Sequence, residues 1–290
     1  WGIAVNTALP VTGGNDPRSV LAQAIAAADE AGVPLLFGSR RETDVSLDEQ
    51  LVLLRPGDVV TYCYSGTPEN ILVDGTTRVR DSVRAARERG ILFCLDAIQT
   101  LGAFPTTVEH VDFLAADAHK WLLGPCGAGV LYVRRELQEK LNPPIYGWHN
   151  VRNPNFVAQE QIVFRSDATK FEVGTHNLLG IVGLIAAMEI ALEVGVDNIT
   201  AELLRKRARL VPALQAKGFT VLHAEAKLEN ASGIVSFYPA GKDVGEYHQK
   251  LAEAGITTSL RTDRKGQNYI LLSPHFYNTD AELQRVLELL

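Results

Sequence analysis

Residues 111–133 read VDFLAADAHKWLLGPCGAGVLYV. Two apolar segments of strand length, VDFLAAD and AGVLYVR, bracket a glycine-rich loop that carries Lys120 between His119 and Trp121. A lysine presented on a turn at the end of an apolar segment is badly placed for packing and well placed to reach a bound carbonyl compound. Gly124, Gly127 and Gly129 serve the backbone geometry of the turn. Trp121, like Trp148 further on, reads as a packing residue.

Upstream of that stretch, helical patterns alternate with short apolar runs. SVLAQAIAAADEAG (19–32) has helical spacing and stops at Gly32, VPLLFG (33–38) reads as a strand, and SLDEQLVLL (46–54) starts on a serine cap. DVVTYCYS (58–65) is a further strand, TTRVRDSVRAARERG (76–90) a polar-faced helix, and ILFCLDA (91–97) a near-continuous apolar run suited to a buried parallel strand. Strand-helix-strand alternation predicts an α/β layer architecture with a mainly parallel sheet flanked by helices.

Downstream the texture changes. NLLGIVGLIAAMEIALEVG (177–195) is an almost wholly apolar helix, expected to be buried, and a charged helix follows over 198–218. FTVLH, GIVSFYP and ITTSLR then read as strands around the helix DVGEYHQKLAEAG, with TDAELQRVLELL as the closing helix. Two domains are expected: a large one over 1–195 and a smaller C-terminal α+β domain over 196–290.

With 46% hydrophobic residues the chain has ample material for a core, and a formal net charge of −6 provides no basic field for nucleic acid or an anionic membrane. Three cysteines, Cys63, Cys94 and Cys126, are odd in number and lack metal-ligand spacing, so neither a disulfide framework nor a metal site is expected, and the cytoplasm is the expected compartment. No apolar run approaches the ~18 residues of a membrane span. The chain opens on Trp1 in an apolar segment that reads as an interior strand, so an N-terminal portion is expected to precede it.

Asp96 closes the strand candidate ILFCLDA, and ligand sites in open parallel sheets gather at the carboxyl ends of strands. An acid there needs a cation, either a protein Arg or Lys or a protonated ring nitrogen of a cofactor. DAIQTLGAFP (96–105), the lysine stretch, FEVGTHNLLGIVGL (171–184), SGIVSFYP (232–239) and SPHFYNTDAEL (273–283) together resemble the class V aminotransferase family of pyridoxal-phosphate enzymes, fold type I, in the manner of its isopenicillin-N epimerase-like branch.

The resemblance implies the site. Lys120 would form an imine with the aldehyde of pyridoxal 5'-phosphate and move the substrate α-proton, and Asp96 would keep the pyridinium nitrogen protonated. Gln99 would hydrogen-bond the ring hydroxyl oxygen, His119 would lie beside the cofactor, and Thr175 would reach the phosphate of a neighbouring subunit, which implies a homodimer with shared active sites. His119 as a packed histidine and Thr175 as a plain helix cap are the simpler alternatives. A small-molecule amino substrate would undergo transamination, epimerisation or elimination. A degenerate, non-catalytic relative serving as a binding or scaffold protein is the contrasting possibility.

Departures from the family pattern bear on function. The turn that cradles the phosphate is expected upstream of residue 1, and GGNDPRSVL (13–21) has Asp16 and Pro17 where relatives stack a flat ring. Relatives place an arginine where this chain has Leu271, leaving Arg261, with Arg264 behind it, as the substrate carboxylate anchor. No cysteine stands between Arg261 and Ser273, so sulfur transfer of the cysteine desulfurase kind is expected to be disfavoured.

Overall fold

The computed structural model describes residues 2–8, 11–38, 44–61, 70–73, 76, 78–152, 161–241, 243–263 and 266–290. The chain divides into two compact units, Trp1–Phe93 and Cys94–Leu290.

In the first unit, β1 (Ile3–Val5) leads to α1 (Pro17–Ala31), β2 (Leu35–Phe37), α2 (Leu47–Leu53), β3 (Val59–Val60) and α3 (Asp81–Glu88). The three strands form a parallel sheet in the order β1-β2-β3, the arrangement that strand-helix alternation requires. Asp16 caps α1 by accepting hydrogen bonds from the Arg18 and Ser19 backbone N–H groups, with Pro17 at the first helical position. The two residues without a flat ring in GGNDPRSVL therefore start a helix. Ser46 and Glu49 close a capping box at the start of α2. Leu21, Leu35 and Phe37 are buried between α1 and the sheet.

The second unit opens with β4 (Cys94–Asp96), β5 (Phe113–Asp117) and β6 (Gly129–Val133), followed by α4 (Arg135–Gln138), α5 (Leu178–Val194) and α6 (Val196–Ala216). β4 and β5 are parallel, while β6 returns antiparallel on the far side of β5. A second sheet follows from β7 (Phe219–Val221), β8 (Val235–Pro239), α7 (Val244–Glu253), β9 (Ser259–Thr262), β10 (Asn268–Leu272) and α8 (Asp280–Leu289). Its order is β7-β8-β10-β9, all antiparallel. One face packs on α6, α7 and α8 through Leu210, Phe219, Phe237, Leu251, Ile270 and Val286. The expected division at 195 falls inside this unit, where α5 and α6 meet at a bend of 79° beside Gly195.

Two expectations change. The segment 91–97 yields only three residues of strand, with Cys94 and Asp96 exposed rather than buried on both faces. The helix α5 buries Gly180, Leu184 and Ala187, but Leu179, Val182 and Leu192 are exposed, Leu179 at 88%. Its residues are apolar nearly all round, so apolarity alone names no single buried side. No single helix among the described residues is long and apolar enough to cross a membrane.

Candidate active site

Alternation and register bring Asp96, Ala115, Asp117, Gly129 and Leu131 to one face of the three-stranded sheet, since Asp96 lies opposite Ala115, Ala115 opposite Leu131, and Asp117 opposite Gly129. Together with Ile98 they line an open hollow of about 350 Å³. The reverse face, with Leu114 and Ala116, is buried, and Val130 packs toward Ala118, Leu122 and Leu184. Because β4 and β5 are parallel, the chain leaves Asp96 and Asp117 at the same sheet edge.

Asp96 is exposed and accepts a hydrogen bond from the Ile98 backbone N–H at 3.1 Å. Its charge and, more strongly, partial burial push the Cys94 thiol above its usual pKa. After β4 the chain turns through Gln99 to Gly102, whose φ is +90°. A Cβ on Gly102 would lie 2.6 Å from the Trp121 carbonyl oxygen, so only glycine lets this segment press on the lysine turn.

The lysine turn is tight. The Gly124 N–H donates to the Ala118 carbonyl at 2.9 Å and the Leu123 N–H to the Lys120 carbonyl at 3.1 Å. Leu123 takes φ +58°, an uncommon value for a residue with a side chain and a mark of local strain. His119 and Lys120 are exposed, and neither side chain has a hydrogen-bond or ion-pair partner among the described residues.

Gln99 and Trp121 tie the two turns together, because the Trp121 indole N–H donates to Gln99 Oε1 at 3.0 Å. An indole nitrogen is a donor only, so the amide oxygen must face it, and the Gln99 NH₂ is left to donate elsewhere. Trp121 is buried against Ala103, Ile199 and Leu203, as its reading as a packing residue anticipates, and it also orients Gln99, which composition and spacing give no sign of.

The remaining candidates lie elsewhere in the unit. Thr175 is exposed three residues before α5 and is not its cap; Asn177 accepts from the Gly180 N–H and donates to the Gly127 carbonyl, joining α5 to the lysine loop. Arg261 is exposed on β9, directly across from Tyr269, while Leu271 lies across from Ser259 and Ser236. Tyr238, Tyr269, Leu271 and Arg261 thus share the open face of the second sheet, with the Tyr238 and Tyr269 rings edge to face at 5.3 Å. The two tyrosines go unnoticed in the reading of single motifs, although alternation in SFYP points to Tyr238. The Tyr269 hydroxyl donates to Asp263, which raises its pKa. Arg264 lies outside the described residues, as does Cys63.

On chemical grounds these residues suit pyridoxal phosphate: Asp96 ends β4, Gln99 follows on the next turn with its amide oxygen bonded to Trp121, and Lys120, whose amine has no partner among the described residues, directly precedes Trp121. Among the described residues no group of three His, Cys, Asp or Glu side chains suits a metal ion.

The aminotransferase class-V family model matches residues 28–286. A probable cysteine desulfurase of Pyrococcus abyssi is 26% identical over 73% of this chain and 54% of its own. The apo structure of a cysteine desulfurase from Thermococcus onnurineus NA1 superposes with a TM-score of 0.70 at 21% identity, covering 99% of this chain and 71% of that one. A complex between the cystine C–S lyase C-DES and its reaction product cysteine persulfide gives 0.65 at 21% identity, with 99% and 74% covered. The chain spans about half the length of the curated relatives it matches.

The expectation that desulfurase chemistry is disfavoured is overturned by these relatives. That expectation rested on one missing acceptor thiol, and a carbon–sulfur bond can also be broken by β-elimination, in which the sulfur departs without an acceptor thiol. Matched over most of its length by the family model, the chain belongs to the aminotransferase class-V family.

Proposed function

We propose that the protein is a pyridoxal-phosphate-dependent enzyme that breaks the carbon–sulfur bond of a cysteine-derived amino acid. The observation that supports this reading is Asp96 at the end of β4, beside the parallel β5 that leads to Lys120, with Gln99 bonded through its amide oxygen to Trp121, the residue after Lys120. The sulfur substrate is inferred from the names of the relatives.

When bound, the cofactor supplies an electron-withdrawing ring that stabilises negative charge on the substrate α-carbon. Lys120 would hold the cofactor through its Nζ and would be the base for the substrate α-proton. The Asp96 carboxylate would keep the ring nitrogen protonated, the Gln99 amide would donate to the ring hydroxyl oxygen, and His119 would flank the ring. Arg261 holds the substrate carboxylate, with Arg264 behind it, and Leu271 gives an apolar wall that suits a substituent on the substrate sulfur. Thr175 would reach the cofactor phosphate of a second copy, which makes a homodimer the proposed working form, with the cytoplasm as its proposed compartment. The domain division is proposed at the bend beside Gly195.

The test is direct. Added cofactor should give a visible absorbance band that borohydride removes, and peptide mapping should find the pyridoxyl group on Lys120. Cysteine or cystine should then release sulfide or persulfide. A colourless protein, or label on another lysine, refutes the assignment; a labelled Lys120 with no sulfur released refutes only the substrate.

A further inference from the structure

The turn Ser273–Asn278 has no part in the chemistry proposed above, yet it reaches the lysine loop. His275 is 5% exposed. Its Nδ1 accepts a hydrogen bond from the Phe276 backbone N–H at 2.8 Å, and its Nε2 lies 3.0 Å from the Trp121 carbonyl oxygen. A backbone N–H only donates and a carbonyl only accepts, so the ring is neutral with its proton on Nε2. Burial, and behind it the charge of Lys206, push the His275 pKa down, in keeping with that neutral form.

The turn is held from its other side as well. Lys206, fully buried on α6, donates to the Phe276 carbonyl at 2.8 Å and to Glu202 at 2.6 Å. The Phe276 residue is thus fixed at its N–H by the imidazole and at its carbonyl by an ammonium. The peptide that His275 grips, Trp121–Leu122, is the one that Gly102 presses on. It follows Lys120 by a single residue and precedes the strained Leu123.

We propose that His275 is a positioning residue for Lys120: its Nε2–H, braced by the Phe276 turn, pins the Trp121 carbonyl against Gly102 and so fixes the backbone that presents the lysine amine. The proposal rests on the reading of Lys120 as the cofactor lysine.

The experiment compares the full chain with His275→Phe, which keeps an aromatic ring but neither hydrogen bond, and His275→Gln, whose amide can make both. Three quantities are read: amide exchange at Leu123 and Gly124, amide exchange in the β8 and β10 core, and the rate at which borohydride fixes added pyridoxal 5'-phosphate on Lys120. For His275→Phe we expect exchange at Leu123 and Gly124 to quicken ~10-fold and capture at Lys120 to slow ~100-fold, with core exchange unchanged, and for His275→Gln to restore most of both.

Unchanged local exchange and capture in His275→Phe overturn the proposal. If the parent shows no label on Lys120 while exchange responds as expected, it is the cofactor assignment that fails, and the anchor stands. Should His275→Phe not fold, the ¹⁵N spectrum of His275 in the parent decides, because a proton on Nδ1 contradicts the anchor and a proton on Nε2 with a bare Nδ1 supports it.

Discussion

The two sheets of the second unit both close one face and leave the other open, but they are held by different forces. Behind the four-stranded sheet lies a continuous apolar core from Leu210 to Leu287, and Arg261, Tyr269 and Leu271 reach the open face by strand alternation alone. Behind the three-stranded sheet the buried cluster is small, Ala118, Leu122 and Leu184, and the residues that matter sit mostly on turns. There the positions are set by directed hydrogen bonds: Trp121 to Gln99, His275 to Trp121, Asn177 to Gly127. Strand periodicity needs only burial on one side to aim a group, whereas a loop has no periodicity and needs a bonded partner for each peptide it must hold.

The comparison is tested hardest at Asp96, the one proposed catalytic residue of the first sheet placed by a strand. Asp96→Ala should retain cofactor but lower turnover by about 10²–10³-fold, equivalent to ~3–4 kcal/mol for a charge-assisted bond in the site. Steady-state kinetics on the loaded enzyme measures this, and an unchanged rate removes Asp96 from the chemistry.

Next in size is a pair of glycine substitutions, one behind each sheet. Gly102→Ala forces a methyl to 2.6 Å from the Trp121 carbonyl oxygen at φ +90°, so it should cost ~2–4 kcal/mol in urea unfolding and loosen the lysine turn. Gly218→Ala, before β7, has a similar φ of +86° but open space around the new methyl, and should cost only ~1 kcal/mol. Equal costs would mean that the close approach at Gly102 carries no load.

Much of this arrangement is legible in the residues. The strands around VDFLAADAHKWLLGPCGAGVLYV and the placement of Asp96 at a strand end follow from alternation and turn chemistry, whereas the strand Asn268–Leu272, and with it the face that Leu271 shares with Arg261, does not stand out in the sequence. What escapes is the bonding of single atoms across long sequence separations. Nothing in the spacing says that Trp121 meets Gln99, 22 residues away, or that His275 reaches 154 residues back to the Trp121 carbonyl. The exposure of α5 escapes for another reason, since a helix apolar on every side gives no periodic signal of which stripe is covered.

The open face of the second sheet yields a prediction of intermediate size. Leu271 sits one strand pair from Arg261 on the same face, so Leu271→Arg places a second guanidinium beside the first. If Arg261 holds the substrate carboxylate, the variant should bind small amino acids ~1.5–3 kcal/mol more tightly, read by titrating the cofactor absorbance with alanine and cysteine. A parent that already binds alanine as well as the variant defeats the argument and shifts attention to Arg264.

The smallest expected effect separates the two modes of support by pH, because hydrogen-bonded pins titrate and an apolar core does not. Arg205, with Lys206 alongside, lowers the Glu202 carboxylate to about 2. A folded pKa below the unfolded value of 4.5 means that Glu202 contributes its stability in full above about pH 4.5 and loses it as pH falls toward 2. His275 acts in the same direction at higher pH: its folded pKa lies below 6.5, so the unfolded chain takes up the proton first and stability drains as pH drops below that value. A full shift at Glu202 would correspond to ~3 kcal/mol, and screening of a side chain 31% exposed brings it to ~1–2 kcal/mol. Urea midpoints between pH 7 and 3 should therefore fall in two stages. Glu202→Gln should flatten only the stage below about 4.5, and His275→Gln only the stage that begins at 6.5. Protection from amide exchange at Leu123 and Gly124 should be lost at a higher pH than protection at Phe237 and Ile270, since the former depend on the His275 anchor and the latter on apolar burial. Simultaneous loss at both places would show that the pins and the core open as one cooperative unit, and the contrast between the two sheets would then be one of geometry alone.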